Sequence, residues 1–186
     1  MSDNSLDAWS KELQKNQLTG QGLPPIEKWN PPLLGDIDIR ITRQGVWFHE
    51  GGEIKRQSLV KLFSSILKRE NDDYFLVTPE EKWRIQVEDA PFFITELSIE
   101  SKGNVQALVF GSTTDDQIIA GADHPVRVAV DVVSGEPSPY ILLRGGMEGL
   151  ISRSVYYQLA DISEARTVDG KEVFGVSSMG CFFALY

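Results

Sequence analysis

The segments Gly52-Glu53-Ile54-Lys55-Arg56 and Gly149-Leu150-Ile151-Ser152-Arg153 share Gly, Ile and Arg at matching positions, and a leucine follows each arginine six residues later. The matching residues are 97 positions apart, without a gap. Each segment lies at or just after a double glycine that ends a β-like run, and each precedes a stretch with apolar residues at helical spacing. A repeat this long predicts two similar half-domains rather than a solenoid, whose repeating units are shorter.

The predicted elements also follow a similar order in the two halves. Alternating apolar and polar residues at 37–41 and 126–130 indicate half-buried strands. In each half a second β-like run, a glycine turn, a helix and a further pair of β-like runs follow, and the second helix is predicted over residues 149–162. We therefore predict an α+β fold with two similar half-domains, each a curved antiparallel sheet with one packed helix.

We predict that the chain is divided into three regions. Residues 1–34 hold a helix-like stretch at 5–17 and then a strap with four prolines between residues 24 and 32. That density of proline forbids a regular helix or a central strand. The first half-domain is predicted over residues 35–95 and the second over residues 96–186.

Composition narrows the class of protein. The chain has 186 residues, 41% of them hydrophobic, and a net charge of −9, which argues against non-specific binding to a nucleic-acid backbone. A single cysteine, Cys181, makes an intrachain disulfide impossible, and we expect it to be a buried core thiol. The first residues lack the basic start and apolar core of a signal peptide, and no apolar run approaches the ~20 residues of a membrane helix. We expect a cytoplasmic protein that does not bind membranes.

Six motifs in a fixed order carry a resemblance to a known family, and they span the chain from about residue 23. They are PPIEKW (24–29), GDIDI (35–39), LVKLFSSIL (59–67), LVTPEEK (76–82), RGG (144–146) and SRSVYY (152–157). Together they resemble the bacterial family called domain of unknown function 1285.

This resemblance implies a duplicated core whose C-terminal half is similar to a pleckstrin-homology fold. It also implies a ligand site at the seam of the two halves, a nucleotide-like ligand and a role in signalling. No activity and no cofactor come with the family.

Arg56 and Arg153 are the paired arginines of the repeat. A cation near a helix start does not suit the helix dipole, which favours anions at that end. Each guanidinium group is therefore expected to pair with a carboxylate or with a bound anion. A structural ion pair, with Glu53 or Glu148 as the partner, is the alternative to ligand binding.

The segment Arg144-Gly145-Gly146-Met147-Glu148-Gly149 lies between a predicted strand and a predicted helix. A glycine-rich loop in that setting can hold a phosphate with backbone N–H groups, and Arg144 would add a positive charge. The segment matches no phosphate-loop motif, however, and Glu148 would repel phosphate. An ordinary glycine turn is the alternative.

Four further residues are candidates for ligand binding. Thr78 and Lys82, in a polar turn, can hold an anion or a ribose, although Thr78 can equally bond to its own turn. Tyr156 and Tyr157 can stack on a base, or they can fill the core and bond through their hydroxyls. Tyr156 lies three residues from Arg153 and so shares its helix face.

The sequence shows no catalytic constellation. His49 and His124 are the only histidines and lack further ligands at a diagnostic spacing, so no metal is predicted. We predict a non-enzymatic module that binds a small anionic ligand. A protein-interaction scaffold that uses strand edges and the proline strap is the alternative, and a hydrolase that uses His124 with Asp115 or Asp116 is the third hypothesis.

Overall fold

The computed structural model describes residues 23–186, which form two compact units. The first unit contains residues 23–42 and 46–88, and the second contains residues 43–45 and 89–186. The helix predicted for residues 5–17 lies outside the described residues. The chain changes unit between Glu88 and Asp89, before the predicted boundary at 95/96, because residues on both sides of that boundary belong to one strand of the second unit.

The first unit is a six-stranded sheet with one α-helix, preceded by a short 3-10 helix (Ile26–Lys28) in the proline-rich strap. Its strands are β1 (Leu33–Ile41), β2 (Trp47–His49), β3 (Gly52–Glu53), β4 (Leu67–Glu70), β5 (Asp73–Val77) and β6 (Lys82–Val87). They lie in the order β3-β2-β1-β6-β5-β4. Helix α1 (Gln57–Ser65) connects β3 to β4.

The second unit contains a six-stranded sheet, one α-helix and a separate three-stranded sheet. The strands of the larger sheet are β7 (Phe92–Lys102), β8 (Val105–Ser112), β9 (Gln117–Ile119), β10 (Val126–Val130), β11 (Pro137–Leu142) and β12 (Glu148–Ile151). They lie in the order β10-β11-β12-β7-β8-β9. Helix α2 (Arg153–Asp161) follows β12 and leads to the smaller sheet of β13 (Glu164–Val168), β14 (Lys171–Ser178) and β15 (Cys181–Ala184).

The two six-stranded sheets have the same connectivity. Each sheet consists of two three-stranded meanders. The strands that come first and last along the chain, among the six of each sheet, lie side by side at its centre. The predicted α+β fold with two similar halves and one helix in each is confirmed. The antiparallel expectation holds except for the two central pairs, β1–β6 and β7–β12, which are parallel. They are parallel because the connection between the two meanders of each sheet starts the second meander in the same direction as the first one ends.

The two helices correspond to each other with an offset that differs by one residue from that of the sequence repeat. Helix α1 begins at Gln57 and helix α2 at Arg153, which are 96 positions apart. At this offset the buried residues Leu59 and Phe63 of α1 match the buried residues Val155 and Leu159 of α2. Burial of the apolar face therefore aligns the helices, whereas the matching Gly, Ile and Arg are one position out of register.

The second repeat segment forms a strand rather than the start of a helix. Residues Gly149–Ile151 pair with Phe92–Ile94 of β7, so the helix predicted from residue 149 begins only at Arg153. Residues 144–147 are the tight turn between β11 and β12, in which Gly145 and Gly146 both have positive φ values of 55° and 71°. Two consecutive positive φ values favour glycine. The phosphate-loop interpretation, which needs a strand followed by a helix, is therefore wrong.

Each unit has its own apolar interior. In the first unit the rings of Trp47 and Phe63 lie 6.2 Å apart, centroid to centroid, and both side chains are buried. In the second unit Phe92 and Phe110 are among the largest fully buried side chains. Such side chains contribute about 1.5–3 kcal/mol each when removed from water, so their burial stabilises each unit.

Candidate functional site

The second unit contains a cavity of about 910 Å³. Its wall is built by the turn at residues 43–45, the loop and first residues of β11, the end of β12 and the first turn of α2. The side chains that bear on its chemistry are Arg43, Ser138, Ser152, Arg153, Tyr156 and Tyr157. Three residues predicted from the sequence as ligand-binding, Arg153, Tyr156 and Tyr157, thus lie together at one cavity.

The first turn of α2 positions Arg153. Ser152 is the N-cap residue, and its hydroxyl accepts a hydrogen bond from the backbone N–H of Val155. Arg153 follows as the first helical residue, with 79% of its side chain exposed, and its guanidinium group forms an ion pair with Glu136. Glu136, rather than Glu53 or Glu148, is thus the carboxylate partner, because Glu148 accepts two hydrogen bonds from Arg127 at 2.6 and 2.5 Å.

The two tyrosines differ in exposure. Tyr156 is half-buried, and its hydroxyl donates a hydrogen bond of 3.2 Å to the carbonyl oxygen of Leu185. Burial, and then the neighbouring Tyr186, raise the pKa of Tyr156, so its hydroxyl stays protonated at neutral pH. Tyr157 is 64% exposed. The ring of Tyr157 is therefore available to a planar ligand, whereas Tyr156 is held as part of the wall.

Arg43 is a second guanidinium group at the cavity, and sequence reasoning missed it. It donates a hydrogen bond of 2.7 Å to the hydroxyl of Ser138 and pairs with a carboxylate oxygen of Asp89 at 3.2 Å. In the sequence Arg43 is one charged residue of a short turn, and apart from its neighbour Gln44 it is at least 50 positions from every other cavity residue. No local pattern distinguishes it from an ordinary exposed arginine.

The loop between β10 and β11 forms the acidic part of the rim. Asp131 accepts hydrogen bonds from the backbone N–H groups of Val133 (2.9 Å) and Ser134 (2.7 Å) and from the Ser134 hydroxyl (3.0 Å). These bonds, with the Ser134 backbone first, lower the pKa of Asp131 and keep it ionised. With Glu136 on the same loop, the cavity contains carboxylates as well as guanidinium groups.

Arg144 is not among the residues that line the cavity. Its guanidinium group pairs with Asp116 and lies 4.6 Å from the ring centroid of Phe92. The other oxygen of Asp116 accepts hydrogen bonds from the hydroxyls of Ser112 (2.8 Å) and Thr114 (2.6 Å). Asp116 is thus committed to a structural network, while Nδ1 of His124 lies 2.9 Å from the carbonyl oxygen of Leu142. This geometry does not favour the hydrolase hypothesis.

The remaining candidates lie in the first unit. The hydroxyl of Thr78 accepts hydrogen bonds from the backbone N–H groups of Glu80 (3.3 Å) and Glu81 (3.0 Å), which confirms the interpretation that Thr78 bonds to its own turn. Nζ of Lys82 donates a 2.6 Å hydrogen bond to Glu70, and this bond lowers the pKa of Glu70. Arg56 is the exposed N-cap residue of α1.

Three further observations concern metal, membrane and thiol chemistry. Within residues 23–186, no three His, Cys, Asp or Glu side chains are grouped so that they could hold a metal ion. Neither α-helix in the described part of the chain has the length and apolar character needed to cross a bilayer. Cys181 is half-buried rather than buried in the core as expected, because it lies in the short edge strand β15.

Two family models match the sequence: "Domain of unknown function (DUF1285), N-terminal domain" over residues 24–90 and "Protein of unknown function (DUF1285), C-terminal domain" over residues 91–185. The chain therefore belongs to the DUF1285 family, and the predicted resemblance is confirmed. The pleckstrin-homology likeness of the C-terminal half stays a prediction.

Solved structures agree with this assignment. A DUF1285 family protein from Silicibacter pomeroyi DSS-3 is 45% identical, with 92% of each chain covered and a TM-score of 0.82. A second one, from Shewanella baltica OS155, is 29% identical over 66% of this chain and 90% of its own, with a TM-score of 0.52. No curated protein matches the sequence.

Proposed function

We propose that the chain is a non-enzymatic ligand-binding module of the bacterial cytoplasm, and that a small anionic ligand with a nucleotide-like aromatic group binds in the cavity of the second unit. A signalling role, implied by the family resemblance, belongs to the same proposal. The observation that carries it is the meeting of Arg43, Arg153 and the exposed Tyr157 ring at one cavity of about 910 Å³. This volume lies within the range of small-molecule sites.

Arg153 is the proposed contact for the anionic group of the ligand. Its ion pair with Glu136 is exposed to solvent on both sides, and such pairs contribute about 0–1 kcal/mol to stability. A phosphate group offers more charge and more acceptor oxygens than one carboxylate does, and guanidinium groups bind phosphate through two parallel hydrogen bonds. A phosphate can therefore replace Glu136 at Arg153.

Tyr157 is the proposed contact for the aromatic group. Stacking of a base on an exposed aromatic ring contributes about 1–3 kcal/mol, and it needs only an accessible ring face. Tyr156 cannot turn toward the ligand without breaking its hydrogen bond to Leu185. We assign Tyr157 to stacking and Tyr156 to the cavity wall.

Isothermal titration calorimetry with inorganic phosphate, ATP, GTP and cyclic dinucleotides tests the proposal. We expect one nucleotide class to bind, Arg153→Ala to abolish its binding, and Glu136→Gln to tighten it, because the competing carboxylate is gone. Arg166→Ala removes an arginine outside the cavity and serves as the control. If Arg153→Ala binds the nucleotide as the original chain does, the assignment of Arg153 is wrong.

One observation favours the alternative function of a protein-interaction scaffold. Val132 and Val133, in the β10–β11 loop, are 98% and 92% exposed, and adjacent aliphatic side chains at a loop tip gain by contact with another protein. If the immobilised chain retains a lysate protein that Val132→Ser/Val133→Ser does not retain, and no nucleotide binds, the scaffold function replaces ligand binding.

A further inference from the structure

Strand β7 is partnered on both sides only at its beginning. Residues Phe92–Ile94 pair with β12 on one side and lie next to β8 on the other. The pairing with β12 ends where the backbone N–H of Ser152 donates a hydrogen bond to the carbonyl oxygen of Ile94, and helix α2 follows. From Glu96 to Lys102, β7 pairs with β8 alone among the strands of residues 23–186. Six of these seven residues are exposed, and Leu97 is half-buried. An edge of this kind presents a row of backbone groups on which another strand can form.

The side chains along this edge do not block pairing. Residues 96–102, Glu96-Leu97-Ser98-Ile99-Glu100-Ser101-Lys102, contain no proline. The irregularity in β7 lies between Ile94 and Glu96, before this segment begins. Ile99, at the centre, is 52% exposed, although isoleucine is a residue that proteins usually bury.

The charges agree with the one register that pairs all seven residues 96–102 with the same segment of a second copy. In an antiparallel pair with its twofold axis at Ile99, the two Ile99 side chains are opposite each other, and Glu96 of each copy is opposite Lys102 of the other. An axis at Ser98 would place Glu96 opposite Glu100, and an axis at Glu100 would place that residue opposite its own copy. Opposite charges directly across a sheet stabilise it, and like charges destabilise it.

We propose that the chain forms a symmetric dimer through residues 96–102 of β7, with Ile99 on the twofold axis. The six-stranded sheet that contains β7 in one copy then becomes continuous with the same sheet of the other copy. This is the self-complementary contact that a twofold axis requires. The contact is independent of the proposed nucleotide cavity, because none of residues 96–102 lines it.

Sedimentation equilibrium of the full chain from micromolar to millimolar concentration tests the dimer. We expect the mass to rise toward twice 20.8 kDa. Glu96→Lys and Lys102→Glu should each raise the dimer dissociation constant by about tenfold, because each creates two like-charge pairs. The double variant Glu96→Lys/Lys102→Glu restores both attractions and should recover dimerisation.

Lys171→Glu, an exposed charge reversal at the start of β14, should leave the mass unchanged. Circular dichroism confirms that each variant is folded, and if Glu96→Lys is not, Lys102→Glu at the strand end still decides the question. A chain that stays monomeric throughout the range overturns the proposal. A dimer that neither single charge reversal weakens overturns it equally, since the contact then lies on another surface.

Discussion

Arg144 shows how a single residue can look like a ligand contact and act as a structural one. Its guanidinium group pairs with Asp116 and also lies over the ring of Phe92, and only 22% of its side chain is exposed. Removing one member of a partly buried ion pair leaves the other carrying an unbalanced charge.

We expect Arg144→Ala to lower the free energy of unfolding by about 1–3 kcal/mol, between the values for exposed and buried pairs. The nucleotide affinity of the folded variant should not change, because Arg144 does not line the cavity. Urea unfolding and calorimetry measure the two quantities. A loss of affinity with unchanged stability would contradict this assignment and return Arg144 to the ligand site.

Tyr140 is the titratable residue with the clearest structural role in the second unit. It is buried, its hydroxyl donates hydrogen bonds of 2.9 and 3.1 Å to the two oxygens of Asp89, and the guanidinium carbon of Arg127 lies 4.4 Å from its ring centroid. Burial first, and then the Asp89 carboxylate, raise the pKa of Tyr140 above its ordinary value of 10.0.

This pKa shift predicts a loss of stability in alkaline solution. The folded protein holds the hydroxyl proton more tightly than the unfolded chain does, so the contribution of Tyr140 is fully present below pH 10.0 and is lost as the pH rises through the folded-state pKa. Tyr140→Phe should lower the free energy of unfolding by about 1–3 kcal/mol at pH 7. Above about pH 10, the stability of this variant should decline less steeply than that of the original chain. Urea midpoints at several pH values test this. A decline as steep in Tyr140→Phe as in the original chain would contradict it.

At the scale of elements, the two corresponding helices begin with different caps. Ser152 caps α2 through its hydroxyl, whereas Arg56 makes no capping hydrogen bond with its side chain and places a cation at the start of α1. Serine and aspartate are preferred at this position because they accept a backbone hydrogen bond, and a negative charge also suits the helix dipole.

We expect opposite results from substitutions at the two caps. Ser152→Ala should lower the free energy of unfolding by about 1 kcal/mol, and Arg56→Asp should raise it by about 0.5–1 kcal/mol. Urea unfolding followed by circular dichroism measures both. Stabilisation by Ser152→Ala, or destabilisation by Arg56→Asp, would show that the side chain has another role that outweighs capping.

The whole molecule carries a net charge of −9 at pH 7, and its sequence isoelectric point is about 4.7. Mutual repulsion between copies disappears near the isoelectric point. We expect light scattering to be greatest near pH 4.7 and to fall on either side. A maximum near neutral pH would contradict this and would indicate association driven by apolar contacts instead.

The duplication in this molecule exists at two levels that do not coincide. Helices α1 and α2 each follow a three-stranded meander and precede another, which is the order that the sequence repeat indicates. The two six-stranded sheets repeat a different unit, because α1 lies between the third and fourth strands of its sheet while α2 follows the sixth. A repeat of residue identities cannot reveal which strands share a sheet, since pairing joins segments that are far apart in the chain.

By itself, the sequence determined the local elements and part of the site. Alternating apolar residues define β1, the apolar stripe defines α1, and the helical spacing of Arg153 and Tyr156 places them on one face. Only the tertiary structure decided the central parallel pairs, the meeting of Arg43 with Ser138 and the pairing of Arg144 with Asp116. The physical reason is that strand pairing and charge pairing depend on distances in space, whereas periodicity records only the neighbours along the chain.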